Sequence, residues 1–529
     1  SMKKITLAKF ILVILVLLAN KGFSQSSPKA KPNVPKAKLV RGPYLQVATS
    51  SSIIIRWRTD AMARSRVSWG TENGKLDNTI VDSSIKTEHI VKVTGLQPET
   101  KYYYSIGGVK DTMQGGTDNY FYTMPTQGKE GVYRIGFFGD CGTKADHQWK
   151  VKDEFLKFLG DKYLNAWLLL GDNAYPSGED AQYQQNFFNI YQDGLLKKYP
   201  LFTTPGNHDY HDVEYSIAFA QKSHEIAYYK VFSMPTQGEA GGVPSNNQAF
   251  YSFDIGNIHF LSLDSYGQEE NATRLYDTLG SQVQWVKKDL AANRNKSWVV
   301  AFWHHPPYTM GSRNSDKENE LVKIRENFIR ILEREGVDLI VCGHSHLYER
   351  SRLIMGHYGY EDSFDSTKHS LSNSRAFYNG EKNSCPYIKS SDNNNGTVYV
   401  VSGSAGQISS RIQPGYPHNA MIYSNPVTAG ASFLQVEGNR LDMKWITENG
   451  EILDQFTMMK DVGKTQKIKI KKGEEIALSA SFKGNYTWFP GKQKTKSITV
   501  SPKKKSLYYV KDEYGCLVDK FEIEVSLGR

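Results

Sequence analysis

The sequence predicts a multidomain chain: a β-sandwich first, a large α/β domain in the middle, and a small β domain at the end. Three observations predict it. Residues 39–125 run as short alternating strands, as in 53-IIIRWRT-59 and 90-IVKVTGL-96. Between 130 and 460, apolar strand runs alternate with amphipathic helical runs, the rhythm of sheets covered by helices. From 463 to 529 the pattern turns β-like again, in 467-KIKIKKG-473, 486-YTWFPG-491, 497-SITVSP-502 and 521-FEIEV-525. At 529 residues and 39% apolar content, the chain has room for two to four domains with full cores.

The start reads as an export signal over residues 1–25. Lys3 and Lys4 follow Met2, Phe10 to Ala19 is an unbroken apolar run, and small and polar residues surround Gly22–Ser27. The run is too short and too poorly flanked for a membrane span, so the mature protein is expected to be secreted, periplasmic or at the cell surface, with no stable membrane span. Residues 26–38 are rich in Pro, Lys and Ala and read as a linker.

In the first β region, 96-LQPETKYYYSI-106 resembles the L-x-P-x-T-x-Y element of fibronectin type III domains. That resemblance makes Tyr102 the corner tyrosine and Trp57 the core tryptophan of a sandwich over 39–125. The strand candidates of the 130–460 domain are 133-YRIGFFG-139, 165-NAWLLLG-171, 258-IHFLSLD-264, 297-SWVVAFW-303 and 337-VDLIVCG-343. Helices are predicted at 281-SQVQWVKKDLAAN-293 and 318-ENELVKIRENFIRILERE-335. Residues 362–395, rich in Ser, Asn and Asp, read as a surface insertion. The tail over 463–529 resembles the small immunoglobulin-like modules of exported bacterial proteins.

A net charge of +10 with scattered basic residues biases the surface toward anions. No recognition motif accompanies it, so specific nucleic-acid binding is not predicted. Four cysteines do not make a disulfide scaffold. Cys141 and Cys342 stand beside the motifs below, either as a pair or as two buried thiols.

Four of these strands end on metal-ligand residue types, and a fifth such motif follows 201-LFTTPG-206. They are 139-GDCG-142, 171-GDNAY-175, 206-GNHD-209, 303-WHHPPY-308 and 343-GHSH-346. Sites in α/β sheets gather beyond the carboxyl ends of the strands, so five such turns are predicted to converge on one place. Each motif alone is weak: a Gly-Asp at a strand end is often only a turn. The joint pattern of Asp, Asn and His at five motif positions is not.

The order GDxG, GDxxY, GNH[DE], HxPxY, GHxH resembles that of the purple acid phosphatases, within the calcineurin-like metallophosphoesterases. The resemblance extends to 41-RGPYLQ-46, 346-HLYERS-351 and 396-GTVYVVSGSAG-406, hence over residues 40 to 460. It implies a metallophosphoesterase fold of two packed sheets flanked by helices. By resemblance, one ion is held by Asp140, Asp172, Tyr175 and His346, and a second by Asp172, Asn207, His304 and His344. His304 rather than His305 fits HxPxY. Most calcineurin-like enzymes begin with Asp-x-His; here that position is Gly142. Tyr175 fills the gap, and a phenolate suits Fe(III). The second, less anionic set suits Zn, Fe(II) or Mn.

The resemblance implies in-line attack on phosphorus by a metal-bound hydroxide, with two ions about 3.5–4 Å apart clamping the phosphoryl group. His208 is placed to protonate the leaving group, with Asp209 orienting it. Plant-type members carry further histidines after HxPxY, whereas 309-TMGSRNSDKENE-320 has none. Arg313, His305 and Tyr308 are the substrate-binding candidates instead. The function expected is phosphomonoester hydrolysis, acting on phosphorylated small molecules or phosphopeptides. The alternative on the same scaffold is a phosphodiesterase or nucleotide pyrophosphatase.

Overall fold

The computed structural model describes residues 36–526; the predicted export signal and most of the predicted linker lie outside them. Among the described residues, no helix is long and apolar enough to cross a membrane.

The first unit is a six-stranded sheet built on two long strands, Ile53–Gly70 and Asn78–Val93. Trp57 is fully buried and stacks on His89, with ring centroids 4.8 Å apart. The Tyr102 hydroxyl accepts the Gln97 N–H at 3.0 Å, closing a corner five residues upstream. The unit docks on the rest of the chain largely through buried arginines and their partners. Buried Arg41 donates to Gln184 Oε1 at 2.7 Å and pairs with Asp180, which Arg58 also holds. Arg56 and Tyr44 donate to the carbonyls of Lys230 and Val231.

The central part has two seven-stranded sheets. In one, Ile258–Ser262, Trp298–Trp303, Leu339–Cys342 and Val398–Ser402 run parallel and adjacent. In the other, Val132–Phe138, Ala166–Leu170 and Leu201–Thr204 do the same. Trp298–Trp303, Leu339–Cys342, Ala166–Leu170 and Leu201–Thr204 are buried at every position, which is why they read as apolar runs rather than alternations. Their carboxyl ends face one another across the join between the sheets. The Ala405 N–H donates to the Gly139 carbonyl there, and His304 Nδ1–H to the Leu170 carbonyl.

The helix predicted over 318–335 is split. Asn319–Lys323 and Ile329–Arg334 are α-helical, and Ile324–Phe328 between them is a π turn. The region 362–395 is more than a surface insertion. Its strand Tyr387–Lys389 pairs in parallel with Ile452–Lys460 at the edge of the second sheet. Lys389 and Lys460 both reach the buried carboxylate of Asp338. Cys385 of this insertion is disulfide-bonded to Cys516. Cys141 and Cys342 are free, buried thiols, which settles the alternative in favour of no pair.

The last unit has a four-stranded sheet and a two-stranded one around its own core of Ile470, Leu478, Phe482, Trp488, Val510 and Phe521. The disulfide and a bond from Tyr378 Oη to Asp512 Oδ2 (2.8 Å) tie it to the insertion.

Candidate metal centre

Five strand ends deliver their side chains to one place. Asp140, Asp172 and Asn207 follow three adjacent strands of one sheet, and His304 and His344 follow two adjacent strands of the other. Asp140, Asp172 and His344 each have positive φ, at 54°, 52° and 69°. Non-glycine residues rarely take that conformation, and it collects at functional turns. Here it turns each side chain off the strand axis into the gap between the sheets.

Asp140, Asp172 and His346 form one cluster of potential ligands, and His304, His305 and His344 form another. The Tyr175 hydroxyl stands 3.0 Å from Asp140 Oδ1, 3.2 Å from Asp172 Oδ2 and 3.3 Å from His346 Nε2. A phenol has one proton for these three partners. His304 donates Nδ1–H to the Leu170 carbonyl at 2.7 Å, so Nε2 faces Asp172 Oδ2 at 3.1 Å and Asn207 Oδ1 at 3.2 Å. Lone pairs converge there, and only a proton or a cation holds them together. His344 Nδ1 is buried with no protein partner. Buried polar atoms are rarely left so. This donor set fits two cations.

The electrostatics agree. Burial opposes charge on His304, yet Asp172 and Asp140 overcome it and push the imidazole up to about 9. Burial likewise opposes the Asp172 carboxylate, but His304 holds that carboxyl below its usual range. Burial and the two carboxylates push the Tyr175 phenol well above its ordinary value. Burial and the neighbouring imidazoles push His305 and His344 well below theirs, so both are neutral and able to ligate.

His208 lies at the rim. It donates Nδ1–H to the Pro176 carbonyl at 2.7 Å, which leaves Nε2 4.0 Å from Asp172. Asp209 does not orient it. The Asp209 carboxylate is fully buried and accepts from Asn173 N, Asn173 Nδ2, Gly206 N and the Tyr183 hydroxyl. It stitches the Asp172 turn to the Asn207 turn, and burial followed by the Asp172 charge pushes it up to about 7. Tyr308 is also displaced from its expected role. Its ring is fully buried among His357, Tyr399 and His418, and its hydroxyl donates to the His357 carbonyl. His305 is in the site, stacked on Tyr266 and bonded through Nδ1 to Ser265 Oγ at 2.8 Å. Arg313 is half-buried at the edge, 3.7 Å from Glu318. Glu318 itself reaches His344 Nε2 at 2.8 Å. No sequence signal pointed to it, because it sits outside every motif.

Comparison with known proteins agrees with this geometry. A calcineurin-like phosphoesterase model matches residues 133–348, and a model of the purple acid phosphatase N-terminal domain matches residues 40–123. The chain belongs to the purple acid phosphatase family of calcineurin-like phosphoesterases. Purple acid phosphatase 15 of Arabidopsis thaliana is 31% identical over 52% of this chain and 50% of its own length. Purple acid phosphatase 23 of the same plant is 29% identical over 50% of this chain and 58% of its own length, so the chain spans little more than half of these relatives. Acid phosphatase type 7 of mouse is 26% identical over 67% of this chain and 75% of its own length. The fold is shared with the purple acid phosphatase from yellow lupin seeds, at TM-score 0.58 and 17% identity over 80% of this chain and 74% of that one. It is also shared with PhoD, at TM-score 0.55 and 12% identity over 94% and 96%.

Proposed function

We propose that this protein hydrolyses phosphate monoesters at a dinuclear Fe(III)–M(II) centre, with Zn, Fe(II) or Mn as the second ion. The observation that carries the reading is the Tyr175 hydroxyl set among Asp140, Asp172 and His346. Asp140, Asp172, Tyr175 and His346 would hold Fe(III); Asp172, Asn207, His304 and His344 would hold the divalent ion. Ions held there would supply Lewis acidity to the phosphoryl oxygens and would lower the pKa of a water serving as nucleophile.

The chain's own residues do the rest. His208 has its Nδ1–H committed to Pro176, so the imidazolium form gives its second proton, from Nε2, to the departing alkoxide and is left as the neutral Nδ1–H ring. Arg313 and His305 bind the phosphate; the guanidinium suits that geometry. The ion-free protein resists anions at this point, since Asp140 and Asp172 are both buried there, and the cations would reverse that field. Substrates are phosphorylated small molecules or phosphopeptides.

The test is the visible spectrum of the purified protein with metal analysis on the same sample. A phenolate-to-iron charge-transfer band, lost in Tyr175→Phe, is expected. A colourless, active protein holding two zinc or manganese ions would overturn the ferric assignment and leave the phosphoesterase.

The wider organisation is part of the same reading: an export signal over 1–25, a linker over 26–38, a fibronectin type III-like domain over 39–125, the catalytic domain over 130–460 and an immunoglobulin-like domain over 463–529. The Cys385–Cys516 bridge supports an oxidising destination, such as the periplasm, the cell surface or the medium. Secretion of the full chain with loss of residues 1–25, seen by N-terminal sequencing, tests it.

A further inference from the structure

We propose that Glu318 is a positioning residue for the second ion: it fixes the His344 ring so that the bare Nδ1 faces the site. The role rests on the ligand set proposed above and goes beyond it, since Glu318 is not a member of that set.

A neutral imidazole has one N–H and one lone pair, and its neighbours choose which nitrogen has which. For His344 the neighbours make that choice. Nε2 stands 2.8 Å from Glu318 Oε2, and a carboxylate there takes the N–H. Nδ1 is then left with its lone pair, buried and without a protein partner. The ring cannot swing away, because it packs against His304 and His305 at 5.0 and 4.3 Å, and the backbone beneath it is held by the His344 main-chain N–H, which donates to Asp140 Oδ2 at 2.8 Å.

Glu318 is held just as firmly. It ends the loop that begins after Tyr308 and stands at the residue before the helix starting at Asn319, with its carboxylate turned to His344 rather than to the helix end. Buried Arg325, from the π turn of that helix, donates to the carbonyls of Pro307 and Ser315 and pairs with Asp316. The Glu318 N–H donates to the Asn314 carbonyl at 3.1 Å, and the Ser315 N–H to the Thr309 carbonyl at 3.0 Å. The loop is therefore held by its own hydrogen bonds. A carboxylate on the far nitrogen of a histidine ligand orients the ring and raises its basicity; losing such a partner costs metal affinity about 10–100-fold. Only His344 receives this support from Glu318, so the effect belongs to one ion of the two. Arg313, 3.7 Å from Glu318 Oε1, hangs on the same carboxylate.

The experiment is calorimetric titration of the metal-free full chain with Zn2+, in wild type, Glu318→Ala and Glu318→Gln. Wild type is expected to bind two equivalents. Glu318→Ala should weaken one of the two binding steps about 10–100-fold and leave the other unchanged. Glu318→Gln keeps an oxygen for the Nε2–H and should fall between them. Histidine 15N shifts of the metal-free protein should report His344 as the Nε2–H form in wild type and a tautomer mixture in Glu318→Ala. Two wild-type steps that survive intact in Glu318→Ala would overturn the positioning role alone. Equal weakening of both steps would overturn it too, by making Glu318 structural. A wild type that binds fewer than two ions would overturn the ligand set, and this role with it.

Discussion

Gly142 lies directly against the turn that carries Tyr175. The Tyr175 N–H donates to the Gly142 carbonyl at 2.8 Å, and a Cβ on Gly142 would stand 1.9 Å from the Asn173 carbonyl oxygen. The absence of a side chain at 142 and the presence of a phenol at 175 are one structural fact. The tyrosine turn occupies the space where a residue at 142 would begin, and the phenol arrives between Asp140, Asp172 and His346 as a consequence.

Gly142→Ala therefore has no room, since the obstruction is backbone. Overpacking of this kind costs about 1–3 kcal/mol or more. A lower urea midpoint together with loss of the charge-transfer band is expected. A fully stable, coloured variant would show that the turn moves independently of position 142.

His208 and Asp209 are adjacent and should fail differently. His208→Ala is expected to lower kcat about 10²–10⁴-fold with little change in thermal midpoint. Asp209→Ala removes the acceptor for Asn173, Gly206 and Tyr183 in a buried place. It should lower stability by several kcal/mol, with unpaired buried donors costing about 1–3 kcal/mol each. A stable Asp209→Ala with the kinetics of His208→Ala would restore Asp209 as the partner of His208.

Tyr308→Phe removes one hydrogen bond, to the His357 carbonyl, at a cost of about 1 kcal/mol. KM for a phosphomonoester should stay within about twofold of wild type, a change worth well under 1 kcal/mol. Arg313→Ala should raise KM at least tenfold, the loss of about 1.4 kcal/mol of phosphate binding.

His259 gives a pH dependence away from the metal centre. Its two ring nitrogens stand 2.7 Å from Asp254 and 2.6 Å from Asp289. Burial alone would lower its pKa, and the two carboxylates overcome that and raise it to about 9. A group raised in the folded state stabilises fully below its unfolded value of about 6.5 and loses that contribution as pH rises through about 9. Unfolding free energy should fall by roughly 3 kcal/mol between pH 6.5 and 9.5. His259→Gln should flatten that interval; an unchanged slope would show that the ring is neutral between its acids.

The Cys385–Cys516 bridge closes a loop of 131 residues. Its removal in Cys385→Ser/Cys516→Ser should cost about 2–4 kcal/mol. Because the last unit has its own core, the loss should appear as an earlier transition of that unit in calorimetry, with phosphatase turnover kept. Coincident loss of activity would tie that unit to the catalytic domain.

The five metal-type turns were legible because each is local. A buried parallel strand writes a solid apolar run, and the residues just past its end are the ones that the sheet aims at the site. Tyr175 was legible for a similar reason, as a phenol three residues past Asp172 paired with a missing side chain at 142. Trp57 and Tyr102 carried their own local pattern.

Direction and partnership were not legible. Tyr308 follows the HxPxY spacing as faithfully as His304 does, and the tertiary fold turns it into the core. Asp209 neighbours His208 in sequence, yet its partners come from the turns at 173 and 206 and from Tyr183 of the helix Asp180–Tyr183. Glu318 meets His344 because Arg325 pins the loop that precedes Glu318, and Cys385 meets Cys516 only because the insertion crosses to the last unit. By itself the sequence determined which elements form and which chemistry their ends carry, since periodicity and strand-end residues are properties of adjacent positions. The tertiary structure alone decided which of those side chains meet, because hydrogen bonds, orphaned lone pairs and excluded volume depend on chain segments far apart in sequence being brought to within about 3 Å.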